Sequence, residues 1–379
     1  MPQAPVRRPL RVIRLVSELD FGGVETGIAI QSELIDRRAI DFRVCTFWKA
    51  GATAERIKQL DVPVDVLGRD PSVYSPAATL ALAGYLRRMR PDVLHASVTE
   101  ADFHAGMLAR FRLAKRTIID EAGFPEIARP RRRLMFKVLN RLVDDIIVVS
   151  SGLGAFLEAH EGAQREKLRL VPNCGQPEFF REPKGSYRTN ERFRIAAVGR
   201  LVEVKNHESI IRALAIHPDS NVELHIFGSG PLRDELLALA QQLGVADRVQ
   251  LRGYVPGSLR DELSGMDAYL MPSHAEGCSL ALIEAMALGL PVAASRVSGN
   301  REVLGPVGAD WLVEPTDVLG WAATMARLQA MTPEQREALG LAARRRAQER
   351  YSPECFTETL TRLYRGEPVA SPDLSGDLP

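Results

Sequence analysis

No part of the 379-residue chain stays apolar for the ~18 residues that a membrane-spanning helix needs, so no transmembrane span is expected. The basic opening MPQAPVRRPLRVIRLV has no long apolar centre and no small-residue cleavage site, so no secretory signal is expected either. Cysteine is scarce: Cys45, Cys174, Cys278 and Cys355 lie far apart, and none falls in a CxxC or other metal-ligand spacing. They read as reduced thiols of a cytoplasmic protein, not as a disulfide frame. The chain also lacks a D-x-D pair, a complete GxGxxG fingerprint and any repeat of solenoid period.

Charge of one sign is missing overall, since the net charge is +1. The balance hides an asymmetry. Residues 1–190 hold 30 Lys+Arg against 23 Asp+Glu, and the remainder holds 19 against 25. A basic front half fits an anionic substrate or surface as partner, or plain drift of charge between domains; no nucleic-acid partner is expected.

What is present is a regular alternation of short apolar runs and helical stretches. RVIRLV (11–16), FRVCTF (42–47), VPVDVL (62–67), DVLHA (92–96), RTIID (116–120) and DIIVVS (145–150) read as buried parallel strands. A Pro-, Gly- and charge-rich stretch at 176–192 reads as a linker. The series then restarts with RIAAVG (194–199), VELHIFG (222–228), VQLRG (249–253), AYLMP (268–272) and PVAAS (291–295). This predicts two Rossmann-like α/β domains, 1–183 and 192–350, facing a cleft. A C-terminal helix over 351–368 is expected to pack back on the first domain, followed by a disordered tail from 369.

The stretch HAEGCSLALIEAMALGLPV (274–292) carries chemistry. A strand ends at MPS, HAEGCS is a loop, and a helix stopped by Gly289 and Pro291 follows. Free amides at Gly277, Cys278, Ser279 and Leu280, with the helix dipole, suit a diphosphate. Glu276 and Glu284 flank that helix start, and a carboxylate accepts two adjacent sugar hydroxyls at once. The bland readings are a solvated loop glutamate and a helix-dipole glutamate. VGRLVEVKNH (198–207) sets Gly199, Arg200 and Lys205 after another strand, where cations would neutralise a leaving diphosphate; a basic loop is the alternative. Tyr254 and Val255, after the strand in LRGYVP, could hold a base edge through backbone groups. In SELDFGGVETG, Gly22 and Gly23 precede a helix and would let backbone approach a phosphate, or simply make a turn. FGSGPLRDEL supports a dinucleotide site only weakly, because Arg233 replaces the third glycine.

Together these motifs resemble the retaining GT-B glycosyltransferases of family 4 (group 1) along nearly the whole chain, from GGVE through VPN (171–173) and GRLVEVKNH to E-x7-E followed by A-x-G-x-P-V. The resemblance implies that Glu276 binds hydroxyls of a donor hexose and Glu284 the ribose of a nucleotide. It implies that Arg200 and Lys205 hold the diphosphate, with Gly22 and Gly23 closing over it, and that neither metal nor other cofactor is needed. Many members carry a histidine after the strand that here ends in Asp120 and Glu121. Glu121 is then expected to bond the acceptor hydroxyl or to mark altered activity, with His95 and His104 as possible substitutes; His95 fits packing better. Cys278–Ser279 replaces the usual aromatic–proline pair, leaving the amides in place. Cys278 reads as a packed small residue rather than a reactive thiol.

The stretch ARPRRRLMFKVLNRLVDD predicts a basic amphipathic helix. Arg131, Arg132, Arg133, Lys137 and Arg141 lie beside Leu134, Met135, Phe136 and Leu139, and the helix either meets an anionic bilayer or packs ordinarily on the sheet. The expected function is transfer of a hexose from a UDP- or GDP-linked sugar to a sugar hydroxyl, with a lipid-linked envelope polysaccharide or lipopolysaccharide precursor as acceptor, at the inner face of the cell membrane. A catalytically silent nucleotide-binding partner subunit and a nucleotide-sugar epimerase are the alternatives.

Overall fold

The computed structural model describes residues 8–20, 22–121, 123, 130–185, 192–217, 221–255 and 258–374, with backbone only at 130–132. The chain divides into two compact units, one running to Asn173 and resuming at Pro353, the other spanning Cys174–Ser352.

The first unit is a parallel sheet wrapped by helices. Its strands are β1 (Leu10–Val16), β2 (Ile40–Thr46), β3 (Val64–Val66), β4 (Val93–Ala96), β5 (Arg116–Glu121), β6 (Asp145–Val148) and β7 (Leu168–Leu170). The helices between them are α1 (Gly23–Leu34), α2 (Ala52–Gln59), α3 (Pro76–Met89), α4 (Thr99–Ala109), α5 (Pro130–Leu142) and α6 (Ser151–Glu161). The strand order is β3-β2-β1-β4-β5-β6-β7, so the winding reverses between β1 and β4. The strands are near-continuous apolar runs because both faces are covered, and Val12, Val16, Ile118 and Ile147 pack under α1 while Ile13, Leu15 and Leu94 pack on the other side. Local chemistry sets the helix ends. Ser75 caps α3 by accepting from the Ala78 amide, Pro76 occupies its first turn, and Arg90 closes it in a left-handed conformation.

The second unit repeats the plan. After α7 (Pro177–Arg181) come β8 (Phe193–Val198), α8 (His207–Ile216), β9 (Val222–Phe227), α9 (Arg233–Gln242), β10 (Val249–Gly253), α10 (Arg260–Ser264), β11 (Ala268–Met271), α11 (Leu280–Leu288), β12 (Val292–Ser295), α12 (Ser298–Leu304), β13 (Leu312–Val313), α13 (Val318–Ala330) and α14 (Pro333–Tyr351). The order β10-β9-β8-β11-β12-β13 reverses between β8 and β11. Trp321 of α13 is fully buried in the core of this unit, in one cluster with Ile195, Leu224, Leu270 and Ala293 of the sheet. A complete capping box between Thr332 and Gln335 starts α14.

Two expected boundaries shift. Residues 174–183 belong to the second unit, because α7 packs on α11 and Arg344 of α14 donates to the carbonyls of Phe179 (3.2 Å) and Phe180 (2.8 Å). The tail expected to be disordered from 369 is held through Leu374: the Leu170 amide donates to the Ala370 carbonyl (2.9 Å), the Asp373 amide to Ser151 Oγ (3.1 Å), and Pro372 and Leu374 lie against Gly154. The tail thereby covers edge strand β7, which would otherwise present unpaired backbone groups. The C-terminal helix, Pro353–Arg365, packs on α1 within the first unit.

Candidate functional site

In an open α/β sheet the carboxyl ends of the strands beside the winding reversal form a crevice. In the second unit those strands are β8 and β11, which brings the loop after Val198 to the loop after Met271. The two loops are stitched together: the His274 amide donates to the Val204 carbonyl (2.8 Å). Asn206, left-handed at φ 51°, gives its side-chain amide to the carbonyls of Pro272 (3.0 Å) and Pro315 (2.8 Å). The result places Lys205 Nζ 2.6 Å from Glu276 Oε1, and Ser273 Oγ donates to the same oxygen at 2.6 Å. Ser273 is braced in turn, since Ser295 Oγ donates to its carbonyl and Asn300 Nδ2 donates to Ser295 Oγ at 3.0 Å. Arg200 is exposed at the mouth of the same loop.

Glycines allow these loops to touch backbone to backbone. A Cβ at Gly299 would overlap the carbonyls of Glu276 and Gly277, and one at Gly228, where φ is 139°, would overlap the Gly199 carbonyl. The glycines of FGSG are therefore explained by the approach of their turn to residues 199–201, not by a dinucleotide fingerprint.

Ser279 caps α11, accepting from the Leu282 amide at 3.4 Å, and Gly289 ends the helix at φ 84°. The amides of the first turn have no intrahelical acceptor. Glu284 lies one turn in and is only 7 % exposed. Its Oε1 accepts from the backbone and side-chain amides of Gln176, each at 3.3 Å, and burial raises its carboxyl to about 7. Cys278 is buried in that loop, as a packing residue should be, while Tyr254 is exposed and Val255 half-buried after β10. Burial also keeps His207, the first residue of α8, neutral by lowering it to about 4. The sequence reading missed Gln176, Ser273, Asn206 and Gly299. Only Gly299, a glycine in the first turn of α12, carried a visible signal.

In the first unit Gly22 and Gly23 stand at the start of α1. Gly22 is extended (φ 176°), and a Cβ there would meet only the flexible Glu25 side chain, so the fold does not itself require glycine. Glu121 ends β5 half-buried. His104 is corrected as an acceptor-side residue: it is fully buried, with Nδ1 2.8 Å from Thr79 Oγ1 and Nε2 3.0 Å from the Pro71 carbonyl. His95 is also buried, with Nδ1 2.8 Å from the Tyr364 hydroxyl.

Helix α5 divides the expected apolar group. Phe136 and Leu139 are buried, whereas Leu134 (68 %) and Val138 (50 %) are exposed. Lys137 and Arg141 are exposed, but Arg133 turns inward to the His160 carbonyl (3.3 Å). The side chains of Arg131 and Arg132 lie outside the described residues. No helix among the described residues is long and apolar enough to cross a membrane.

This geometry can be set beside known proteins. The chain is 34% identical over 194 residues to a D-inositol 3-phosphate glycosyltransferase of Thermobispora bispora, covering 46% of this chain and 45% of that one. It is 30% identical over 226 residues to an MMP alpha-(1->4)-mannosyltransferase of Mycolicibacterium hassiacum, covering 58% and 53%. The chain thus spans about half the length of these relatives. Among solved structures, the Anabaena protein HepE in complex with UDP superposes with a TM-score of 0.78 at 17% identity, over 94% of this chain and 100% of that one. That likeness fixes the fold. The family described as Glycosyltransferase Family 4 matches residues 21–178, and the family described as Glycosyl transferases group 1 matches residues 179–346. The two matches together run over residues 21–346, and with the two doubly wound sheets they make this chain a member of the group 1, family 4 glycosyltransferases with the GT-B fold.

Proposed function

We propose that the protein transfers a hexose from a nucleotide diphosphate sugar to a sugar hydroxyl with retention of configuration and without a metal. The observation that carries the reading is the Lys205–Glu276 pair, 2.6 Å apart beside the start of α11, at the winding reversal of the second sheet. In the proposal a diphosphate takes Lys205, Arg200 and the amides of Gly277, Cys278, Ser279 and Leu280. Glu276, released from Lys205, accepts hydroxyls of the hexose. Glu284 accepts the ribose hydroxyls, and backbone at Tyr254 and Val255 meets the base. Gly22 and Gly23 belong to the phosphate contacts, which accounts for glycine where the fold does not demand it. The catalytic contribution is electrostatic: cations and amides are in place before negative charge develops on the leaving phosphate. Glu121 is assigned to the acceptor hydroxyl. The relatives named as glycosyltransferases and the UDP held by the Anabaena neighbour support a nucleotide-sugar donor. Calorimetry with UDP, GDP and ADP tests the reading: one nucleotide is expected to bind, without loss on adding a chelator, and absence of binding by all three overturns it.

The acceptor is proposed to be a lipid-linked envelope saccharide, met at an anionic membrane surface. Leu134 and Val138, one helical turn apart on α5, stand exposed next to Lys137 and Arg141, and Met107 and Phe111 of the neighbouring α4 region are exposed as well. Apolar side chains ringed by cations suit an interface between headgroups and acyl chains.

A further inference from the structure

Directly after β2, two adjacent aromatic residues part company: Phe47 is fully buried, whereas Trp48 is 42 % exposed. The loop that carries them is laced to its neighbours on both sides. The Trp48 amide donates to the Ser17 carbonyl (3.2 Å) and the Leu19 amide to the Lys49 carbonyl (3.2 Å), which ties the loop to the segment leading into Gly22. On the other side the Arg69 amide donates to the Phe47 carbonyl (2.8 Å), which brings in the loop after β3. That loop presents Tyr74, 82 % exposed, on a firmly held backbone. The Ser72 amide donates to Asp70 Oδ1 (2.9 Å), the Tyr74 amide to Ser72 Oγ (3.3 Å) and the Ser75 amide to the Ser72 carbonyl (2.8 Å). Buried His104 fixes both loops at once. Its ring packs on Phe47, with centroids 5.0 Å apart. A carbonyl can only accept, so His104 Nε2 donates to Pro71 (3.0 Å) and Nδ1 accepts from Thr79 Oγ1 (2.8 Å). Burial lowers the pKa of the ring and so keeps it in this neutral form.

Two large rings thus stand in water on neighbouring loops whose backbones are pinned, at the carboxyl ends of β2 and β3. Trp and Tyr offer broad flat apolar faces and lose little conformational freedom on binding, having two χ angles each. A pyranose ring matches such a face with its C–H groups and turns its hydroxyls to the side. Lys49, Arg69 and Asp70, exposed and close in sequence to the two rings, supply charged donors and an acceptor for those hydroxyls. We propose that Trp48 and Tyr74 form a saccharide-binding platform, holding sugar rings of the acceptor beyond the one that receives the hexose. Its assignment to the acceptor rests on the transferase reading, which gives the phosphates to Gly22 and Gly23 beside the Trp48 loop. The binding of a saccharide does not rest on it.

The test is intrinsic fluorescence of the full chain titrated with maltotriose, cellotriose or mannotriose. Trp311 and Trp321 are buried in the second unit, so Trp48 is the tryptophan placed to report. At least one trisaccharide is expected to shift the emission saturably, and Trp48→Phe should abolish the signal. Tyr74→Ala should weaken the binding about tenfold, while Tyr74→Phe, which keeps the ring face, should hold it within about twofold. No shift with any of the three sugars, a shift that persists in Trp48→Phe, or wild-type binding by Tyr74→Ala overturns the proposal. UDP calorimetry on the same proteins separates the two readings: saccharide binding without nucleotide binding keeps the platform and counts against the donor alone.

Discussion

The two winding reversals of this molecule are built alike and filled differently. At β8/β11 the polar groups close on one another, with Lys205, Ser273 and Glu276 sharing one carboxylate oxygen and Asn206 bracing the loop. Around β1/β4/β5 the polar groups are more deeply buried and less complete. Arg14 keeps two idle donors, and His95 Nε2 lies 3.8 Å from Asp120, beyond a hydrogen bond. A second carboxylate, Asp102, is buried with its pKa raised well above the usual range by burial and by the charges of Glu121 and Asp120. The second unit holds its site ready by satisfying it internally. The first leaves two donors of Arg14 over.

The widest break in this comparison should come from Lys205→Ala. In the proposed mechanism it removes a pre-placed cation, and transfer should fall about 10²–10³-fold while the protein still unfolds cooperatively. Tyr364→Phe acts on the other region. Its hydroxyl accepts from Gln31 Nε2 (2.9 Å) and meets His95 Nδ1, so its removal should cost about 1–3 kcal/mol in denaturant unfolding, with UDP binding unchanged.

Glu284→Gln sharpens the electrostatics. Burial raises the wild-type carboxyl from 4.5 to about 7. The stability this group contributes is therefore complete below its unfolded pKa and is lost as pH rises through about 7. Wild type should lose stability relative to Glu284→Gln between pH 5 and 8. If the carboxylate holds ribose, UDP affinity should rise over the same window, up to about tenfold per pH unit below 7, and the variant should lose that slope. The smallest effect is expected from Lys137→Ala, about a fivefold weaker association with anionic vesicles in a sedimentation assay.

The two-sheet plan was legible because long, doubly covered strands write themselves as apolar runs. β7 and β13, of three and two residues, were not among the expected strands. The loops after β8 and β11 were legible as motifs, since the anion site proposed there needs a strand end, a helix start and charge close together in sequence. The partners holding those motifs were not: Gln176 reaches Glu284 across 108 positions, and nothing local in QPEFF announces it. His104 shows the opposite failure. A histidine near the expected acceptor strand looked available, yet Thr79 and the Pro71 carbonyl occupy both its ring nitrogens. Alternation along β5 likewise separates Asp120 and Glu121, one joining the network beneath α1 and the other ending the opposite face.

The return of the C-terminal helix to the first unit has a consequence for biosynthesis. The ribosome makes Gln31 and His95 early, but their shared partner Tyr364 emerges only after the entire second unit. The first sheet must therefore wait with an open seam over its most polar core while a complete second sheet is translated. A nascent chain arrested near residue 350 should be cut readily in its N-terminal half by a protease that leaves the released protein intact.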